Sequence, residues 1–185
     1  MAQDTREQRK QKVIEVLNKA RALELNAITQ YMNQHYNLDD MDYGDMAAKV
    51  KLIAIDEMRH AEMFAERIKE LDGEPTTEPA GKAETGQKVQ SIFSFDAKLE
   101  DNAISSYNQF LLVCRENGDS TSVKMFEEII DEEQVHFNYF DNVNDHIEKL
   151  GDTYLAQIAG TPSATGLATQ GFVARQGSGT PAGGA

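Results

Sequence analysis

Residues Glu74–Lys88 read EPTTEPAGKAETGQK, with two prolines, two glycines and no large apolar side chain. Such a stretch cannot continue a helix or contribute to a core, so it predicts a long connection. Working outward on the N-terminal side, Gly73 and Pro75 stop a helix whose apolar positions are Val50, Ile53, Ala61, Phe64, Ile68 and Leu71. Before it the Asp-rich turn LDDMDYGD (38–45) separates a first helix over 6–37, carrying Val13, Leu17, Ala20, Ala27 and Tyr31 on one face. On the C-terminal side a third periodic stretch runs through Val89, Phe93, Ala103, Tyr107, Phe110 and Cys114 to the turn ENGD (116–119). A fourth carries Val123, Phe126, Ile130, Phe137, Phe140, Ile147 and Leu150. Helices of this length span about 40 Å at about 1.5 Å per residue. Short turns after helices one and three, with a long connection after helix two, predict two antiparallel hairpins joined by one crossover.

Gly151 breaks the fourth helix, Asp152 can cap a short fifth one (TYLAQIA, 153–159), and Gly160 with Pro162 ends it. The reading is therefore all-α: a four-helix bundle with one long crossover and a short fifth helix over 1–159, followed by a Gly/Ala/Ser/Pro-rich tail over 160–185. That tail has Phe172–Val173 as its single adjacent bulky pair, so it is expected to be solvated or pinned at that point alone.

Composition narrows the function. With 18 Lys+Arg against 31 Asp+Glu the net charge is −13, which argues against nucleic acid and for small cations as partners. One cysteine, Cys114, excludes an intrachain disulfide, and no apolar run is long enough to span a membrane. The charged start MAQDTREQRKQKVIEV has no signal-peptide core, and the expected compartment is the cytoplasm.

The apolar stripes are interrupted by acids. Glu24 falls on the core face of helix one, Glu57 on that of helix two, Asp96 and Glu100 on helix three and Glu133 on helix four. Unpaired buried carboxylates cost several kcal/mol each, so an inward acid from every helix calls for compensating cations. In a helical hairpin, two residues share a height when the turn lies midway between them. The midpoint of Glu24 and Glu57 falls in DDMDYG, and that of Glu100 and Glu133 falls on ENGD. Both pairs are 33 residues apart, and the second pair repeats the first at an offset of 76. His60 and His136 each follow an inward glutamate by three residues, one helical turn away on the same face. A single Glu-x-x-His is most often a surface pair; a duplicated set of four carboxylates and two imidazoles suits two iron or manganese ions bridged by Glu57 and Glu133. Asp96 is expected to support the site and not to ligate. His35 and His146 lack a glutamate three residues before them and are read as surface or interface residues.

LELNAITQY (23–31), IDEMRHAE (55–62), the inward Glu100 and IIDEEQVHF (129–137) resemble bacterioferritin, over residues from about 10 to 158. The resemblance implies a ferritin-like fold and a ferroxidase di-iron centre, two iron ions per subunit, on Glu24, Glu57, His60, Glu100, Glu133 and His136, with Tyr31 beside it. It implies Fe(II) as substrate, oxygen or hydrogen peroxide as oxidant, iron storage in a hollow homo-24-mer built from dimers, and an electron-donor protein for iron release. It also implies a porphyrin, haem b or iron-coproporphyrin, shared between two subunits through Met58. A second apolar stripe of Leu25, Ile28, Met32, Ile55 and Met58 agrees with a partner on that face, although an ordinary dimer interface would use the same residues. The family's additional inner-surface iron site uses a histidine and an aspartate where this chain has Leu52 and Asp56, so half of it is missing. The competing function is a di-iron peroxidase or oxidase of rubrerythrin type without storage, against which no Cys-x-x-Cys is present.

Overall fold

In the computed structural model, described for residues 5–165 and 170–176, four long helices form the bundle: α1 (Arg6–Asp40), α2 (Gly44–Glu70), α3 (Val89–Glu116) and α4 (Ser120–Leu150). α5 (Asp152–Ile158) and a five-residue α6 (Phe172–Gln176) follow. α1 packs on α2 and α3 on α4, with α1 against α3 joining the hairpins, the expected one-crossover arrangement. Among the described residues the only β-type contact is an isolated bridge between Tyr43 and Thr161, and no helix is long and apolar enough to cross a membrane.

Each tight turn closes in the same way. A residue in the left-handed region follows the helix end, and the next amide reaches back to a carbonyl five residues earlier: Asp42 (φ 69°) with Tyr43 N to Leu38 O at 2.9 Å, Asp72 (φ 58°) with Gly73 N to Ile68 O at 2.8 Å, and Gly118 (φ 77°) with Asp119 N to Cys114 O at 2.9 Å. The left-handed residue ending α2 is thus Asp72. Gly73 is needed for a different reason, since a Cβ there would stand 2.8 Å from the Ile68 Cγ2. α1 starts with a reciprocal capping box between Thr5 and Gln8, and Asp119 caps α4 through the Ser122 amide. Asp152 does not cap α5: it lies within the first turn, and Gly151 (φ 53°) occupies the cap position, because the reversal after α4 needs a positive φ there.

The crossover has few apolar groups to bury, and polar side chains of α1 hold it instead. Thr76 N donates to Asn18 Oδ1 (2.6 Å), Arg21 Nε to Thr76 O (2.9 Å), and Gln30 bonds both backbone groups of Glu84, at 2.7 and 3.1 Å. These bonds satisfy backbone groups that would otherwise lie against the bundle without partners.

Two apolar clusters fill the bundle. One, at the α1–α2 turn end, includes Leu38, Met46, Ile53, Phe93 and Phe140; the other includes Leu17, Phe64, Ile68, Tyr107 and Phe126. Between them lies a layer of charged residues. Two expectations about the core change: Leu150 is half exposed, and Ile129 is buried where Ile130 was expected, so the α4 stripe is rotated slightly from the simple period.

The tail makes more contacts than its composition suggests. Gly44 N donates to Thr161 O (3.1 Å), Asp45 N to Thr161 Oγ1 (2.9 Å) and Lys51 Nζ to Thr165 Oγ1 (3.3 Å). Gly44 permits this, because a side chain there would collide with the backbone of Thr161–Ser163. Pinning is therefore not confined to Phe172–Val173, although Phe172 is buried as expected.

Candidate metal centre

Glu24 from α1, Glu57 and His60 from α2, Glu100 from α3, and Glu133 and His136 from α4 meet in the layer between the two apolar clusters, all six buried. Their ligand atoms form two overlapping groups, Glu24, Glu57, His60 and Glu133, and Glu57, Glu100, Glu133 and His136, with donor atoms within 4.8 Å of one another in each. Each group could hold one cation, and Glu57 and Glu133 are common to both. His60 Nδ1 stands 3.3 Å from Glu57 Oε2 and 3.2 Å from Glu133 Oε1; His136 Nδ1 stands 3.0 Å from Glu133 Oε2 and 3.1 Å from Glu57 Oε1.

Burial and the mutual charges of these six groups shift their proton affinities in opposite directions. Burial pushes the Glu24 and Glu100 carboxyls well above the usual carboxylate range, and the charges of Glu133 and Glu57 add to it. Burial acts likewise on Glu57 and Glu133, but the facing imidazoles hold both below that range. The imidazoles in turn are raised well above their ordinary value by those carboxylates, against the opposing effect of burial. If Glu24 and Glu100 each carry a proton and both imidazoles are charged, the six groups sum to zero. So do four carboxylates, two neutral imidazoles and two divalent cations. Protonation does not fully satisfy the layer, however, since the buried Oε1 atoms of Glu57 and Glu133 have no hydrogen-bond partner. Each of these oxygens faces an imidazole Nδ1, at 3.1 Å for Glu57 and 3.2 Å for Glu133, without an aligned hydrogen bond, and shared carboxylates paired with imidazole nitrogens in this way fit a pair of hard-to-borderline cations.

Each imidazole is anchored from behind by the opposite hairpin. His60 Nε2 meets Glu132 Oε2 of α4 at 3.2 Å, and His136 Nε2 meets Asp56 Oδ2 of α2 at 3.4 Å. A carboxylate on the far nitrogen leaves Nδ1 directed at the centre and raises its basicity. Sequence reasoning missed Glu132 and this role of Asp56, although the signal was present: each is the acid immediately before an inward glutamate, and they too are 76 residues apart. Arg59 links them, at 3.3 Å from Asp56 and 3.7 Å from Glu132.

Tyr31 is buried beside this layer, its hydroxyl donating to Glu100. Tyr107, read only as a core residue, makes the equivalent bond to Glu24 Oε1, and the offset of 76 again relates the two. Phe140 packs on Tyr31 and Phe64 on Tyr107, extending the internal repetition into the apolar clusters. Asp96 is buried outside both ligand groups and accepts from Gln34 Nε2 at 2.8 Å, in keeping with a supporting place. His35 corrects the surface reading: it is buried and its Nδ1 donates to Ala47 O at 2.9 Å, completing the α1–α2 packing. His146 is exposed and stacks on Tyr154.

Met58 points away from the centre and is 43% exposed, while Leu25, Ile28, Met32 and Ile55 are half-buried. One hundred degrees of helical rotation separate Met58 from Glu57, which is why neighbours in sequence face opposite environments.

A family model described as a ferritin-like domain matches residues 14–150. The chain is 67% identical to the bacterioferritin of Desulfovibrio desulfuricans over 168 residues, 91% of this chain and 94% of that one, and 32% identical to the bacterioferritin BfrA of Mycobacterium tuberculosis over 151 residues, 81% and 95% of the two. The crystal structure of the Desulfovibrio desulfuricans protein, whose diiron site was seen in different catalytic states, superposes with a TM-score of 0.88 at 65% identity, over 92% of this chain and 99% of that one. Bacterioferritin BfrA of Mycobacterium tuberculosis superposes at 0.76 with 31% identity, over 86% and 97%. This chain belongs to the ferritin-like family and, within it, to the bacterioferritins.

Proposed function

We propose that this bacterioferritin-family chain stores iron, oxidising Fe(II) at a centre built by Glu24, Glu57, His60, Glu100, Glu133 and His136. The observation that carries this reading is the pair of ligand groups sharing Glu57 and Glu133, each of which keeps one buried oxygen without a hydrogen-bond partner. Fe(II) is the substrate. Each ion gives up one electron, and oxygen or hydrogen peroxide accepts the electrons in pairs. The chain's own part is to hold two ions side by side, to release protons from Glu24, Glu100, His60 and His136 as the ions enter, and to keep both imidazoles aimed through Glu132 and Asp56. Tyr31 and Tyr107 fix the carboxylates that belong to one position each.

The product Fe(III) is retained in a shell of 24 copies built from dimers, with an electron-donor protein serving its release. The acidic surface favours Fe(II) arrival. Met58 would offer its thioether to the iron of a porphyrin, haem b or iron-coproporphyrin, which it would share with another copy of the chain. The exposed sulfur among half-buried apolar side chains fits that group, which supplies an electron path when bound.

Stopped-flow oxidation of Fe(II) by the wild-type chain and by Glu133→Ala, combined with iron per assembled particle, tests the reading. Fast oxidation followed by hundreds of ions per particle is expected of the wild type, and loss of the fast phase of the variant. Oxidation at equal rates would remove the ligand assignment, and a particle that never holds more than a few ions would remove storage.

A further inference from the structure

The two halves of the centre differ on their outer sides. Glu132, behind His60, is 19% exposed, whereas Asp56, behind His136, is 0% exposed. The tail makes that difference. Val173 N–H donates to Asp56 Oδ2 at 3.0 Å, on the same oxygen that meets His136 Nε2. Phe172 is buried, with its ring centroid 6.5 Å from that of His136 and 5.0 Å from that of Tyr139. Gly171 lies so close to Asp56 that a Cβ on it would stand 1.8 Å from Oδ1. Any side chain at 171 is therefore incompatible with the seated segment unless Asp56 leaves its place.

We propose that Gly171–Val173 form a gate over the His136 side of the metal centre, which when seated commits Asp56 to His136 and closes this face to divalent cations, and when lifted frees Asp56 to take a cation entering or leaving. This rests on the di-metal reading above. The anchor suits a gate: it includes a buried ring and a backbone hydrogen bond to a side chain, and its five-residue helix is too short to persist without its contacts. The Asp56 carboxylate suits the exchange, because His136 Nε2, the Arg59 guanidinium and the Val173 N–H now occupy the oxygens that a divalent cation would take. On the Glu132 side nothing comparable covers the carboxylate among the described residues, so the gate gives a symmetric centre one controlled side.

The experiment uses full-length assembled protein, with Co(II) as the probe, in wild type, Gly171→Ala and Phe172→Ala/Val173→Pro. Proline removes the N–H that bonds Asp56, alanine removes the buried ring, and neither alters the bundle. Hydrogen exchange of the peptide covering 170–176 is measured in the metal-free proteins, and release of bound Co(II) to excess chelator is followed by its visible absorption. Slow exchange in wild type, faster exchange in both variants and Co(II) release about 10–100-fold faster are expected, the range that loss of a partner behind a metal-bound histidine produces. Fast exchange in wild type, exchange unchanged in the variants, or Co(II) release unchanged despite faster exchange would each overturn the gate. Wild-type protein that binds no Co(II) overturns the di-metal reading and the gate with it, whereas Co(II) bound but indifferent to the variants overturns the gate alone.

Discussion

The hairpin α1–α2 and the hairpin α3–α4 present nearly the same chemistry at the centre. Glu24 answers to Glu100, Tyr31 to Tyr107, Glu57 to Glu133, His60 to His136 and Phe64 to Phe140, always 76 residues on. Each hairpin also completes the other: Tyr31 bonds Glu100, Tyr107 bonds Glu24, Glu132 anchors His60 and Asp56 anchors His136. Outside these repeated positions the likeness ends. The residue 76 after Arg59, which ties both outer carboxylates, is Val135; Asp96 has Ala20 as its counterpart; and the tail covers one side only. The repeated part is what two equivalent cations need, and the unrepeated part surrounds it, where access and partners are decided.

The largest effect is expected from breaking what the halves share. Glu57→Ala takes a carboxylate from both cation positions at once, so Co(II) affinity should fall by more than the roughly 10–100-fold that loss of an outer partner costs, at both positions together. Replacing His60 or His136 by alanine should instead spare one position. Calorimetric titration that finds one intact site in Glu57→Ala would show that this glutamate does not bridge.

The equivalence of the tyrosines can be tested without metal. Tyr31→Phe and Tyr107→Phe each remove one buried hydrogen bond to a carboxyl and leave the ring packing, so each should lower metal-free stability by about 1–2 kcal/mol, and by similar amounts. Chemical denaturation of the two variants side by side measures this, and a gap of several kcal/mol between them would break the comparison.

Acidity acts on the whole layer. His60, His136, Glu24 and Glu100 have raised values in the folded chain, so the metal-free native state holds more protons than the unfolded one as pH rises past 4.5 for the carboxyls and 6.5 for the imidazoles. Their contribution is present below those unfolded values and is lost as pH climbs through the folded ones. Glu57 and Glu133, with lowered values, contribute above about 4.5 and lose that contribution as pH falls. The metal-free midpoint of thermal unfolding should therefore be highest in the weakly acidic range and decline by several degrees above pH 6.5. Co(II), which replaces the protons, should abolish the decline; a midpoint that still falls with Co(II) bound would contradict the exchange of protons for cations.

The smallest effect is expected at Met58, outside both halves. Met58→Leu keeps volume and apolar character, so stability should move by less than about 0.5 kcal/mol and Co(II) titration should be unchanged. Protein produced with porphyrin supplied should lose its Soret band. A bis-methionine spectrum that persists would assign the porphyrin to another residue.

The sequence by itself determined the bundle, its single crossover and the six side chains that meet in its charged layer, because helical periodicity and hairpin geometry are local rules: an acid on an apolar stripe is visible at a step of three or four, and a turn fixes which two residues share a height. Asp96 was legible for the same reason, whereas a place for Tyr31 beside the layer was implied only by the resemblance to bacterioferritin. Tyr107 passed for an apolar core residue because its ring does pack there, and only its hydroxyl's partner on α1 reveals the second task. His35, judged by what precedes it in sequence, proved buried by a carbonyl on another helix. The repeat marks Glu132 and Asp56 as a pair, but tertiary structure decided their role as anchors, since each faces a histidine on the opposite hairpin, 72 and 80 residues away in the chain. It alone decided the tail's place too. Phe172–Val173 marked a pinning point in the sequence, but a segment of glycine and small residues has no periodicity to say where it docks, and the close approach Gly171 allows and the backbone amide that bonds Asp56 leave no mark on the side-chain pattern.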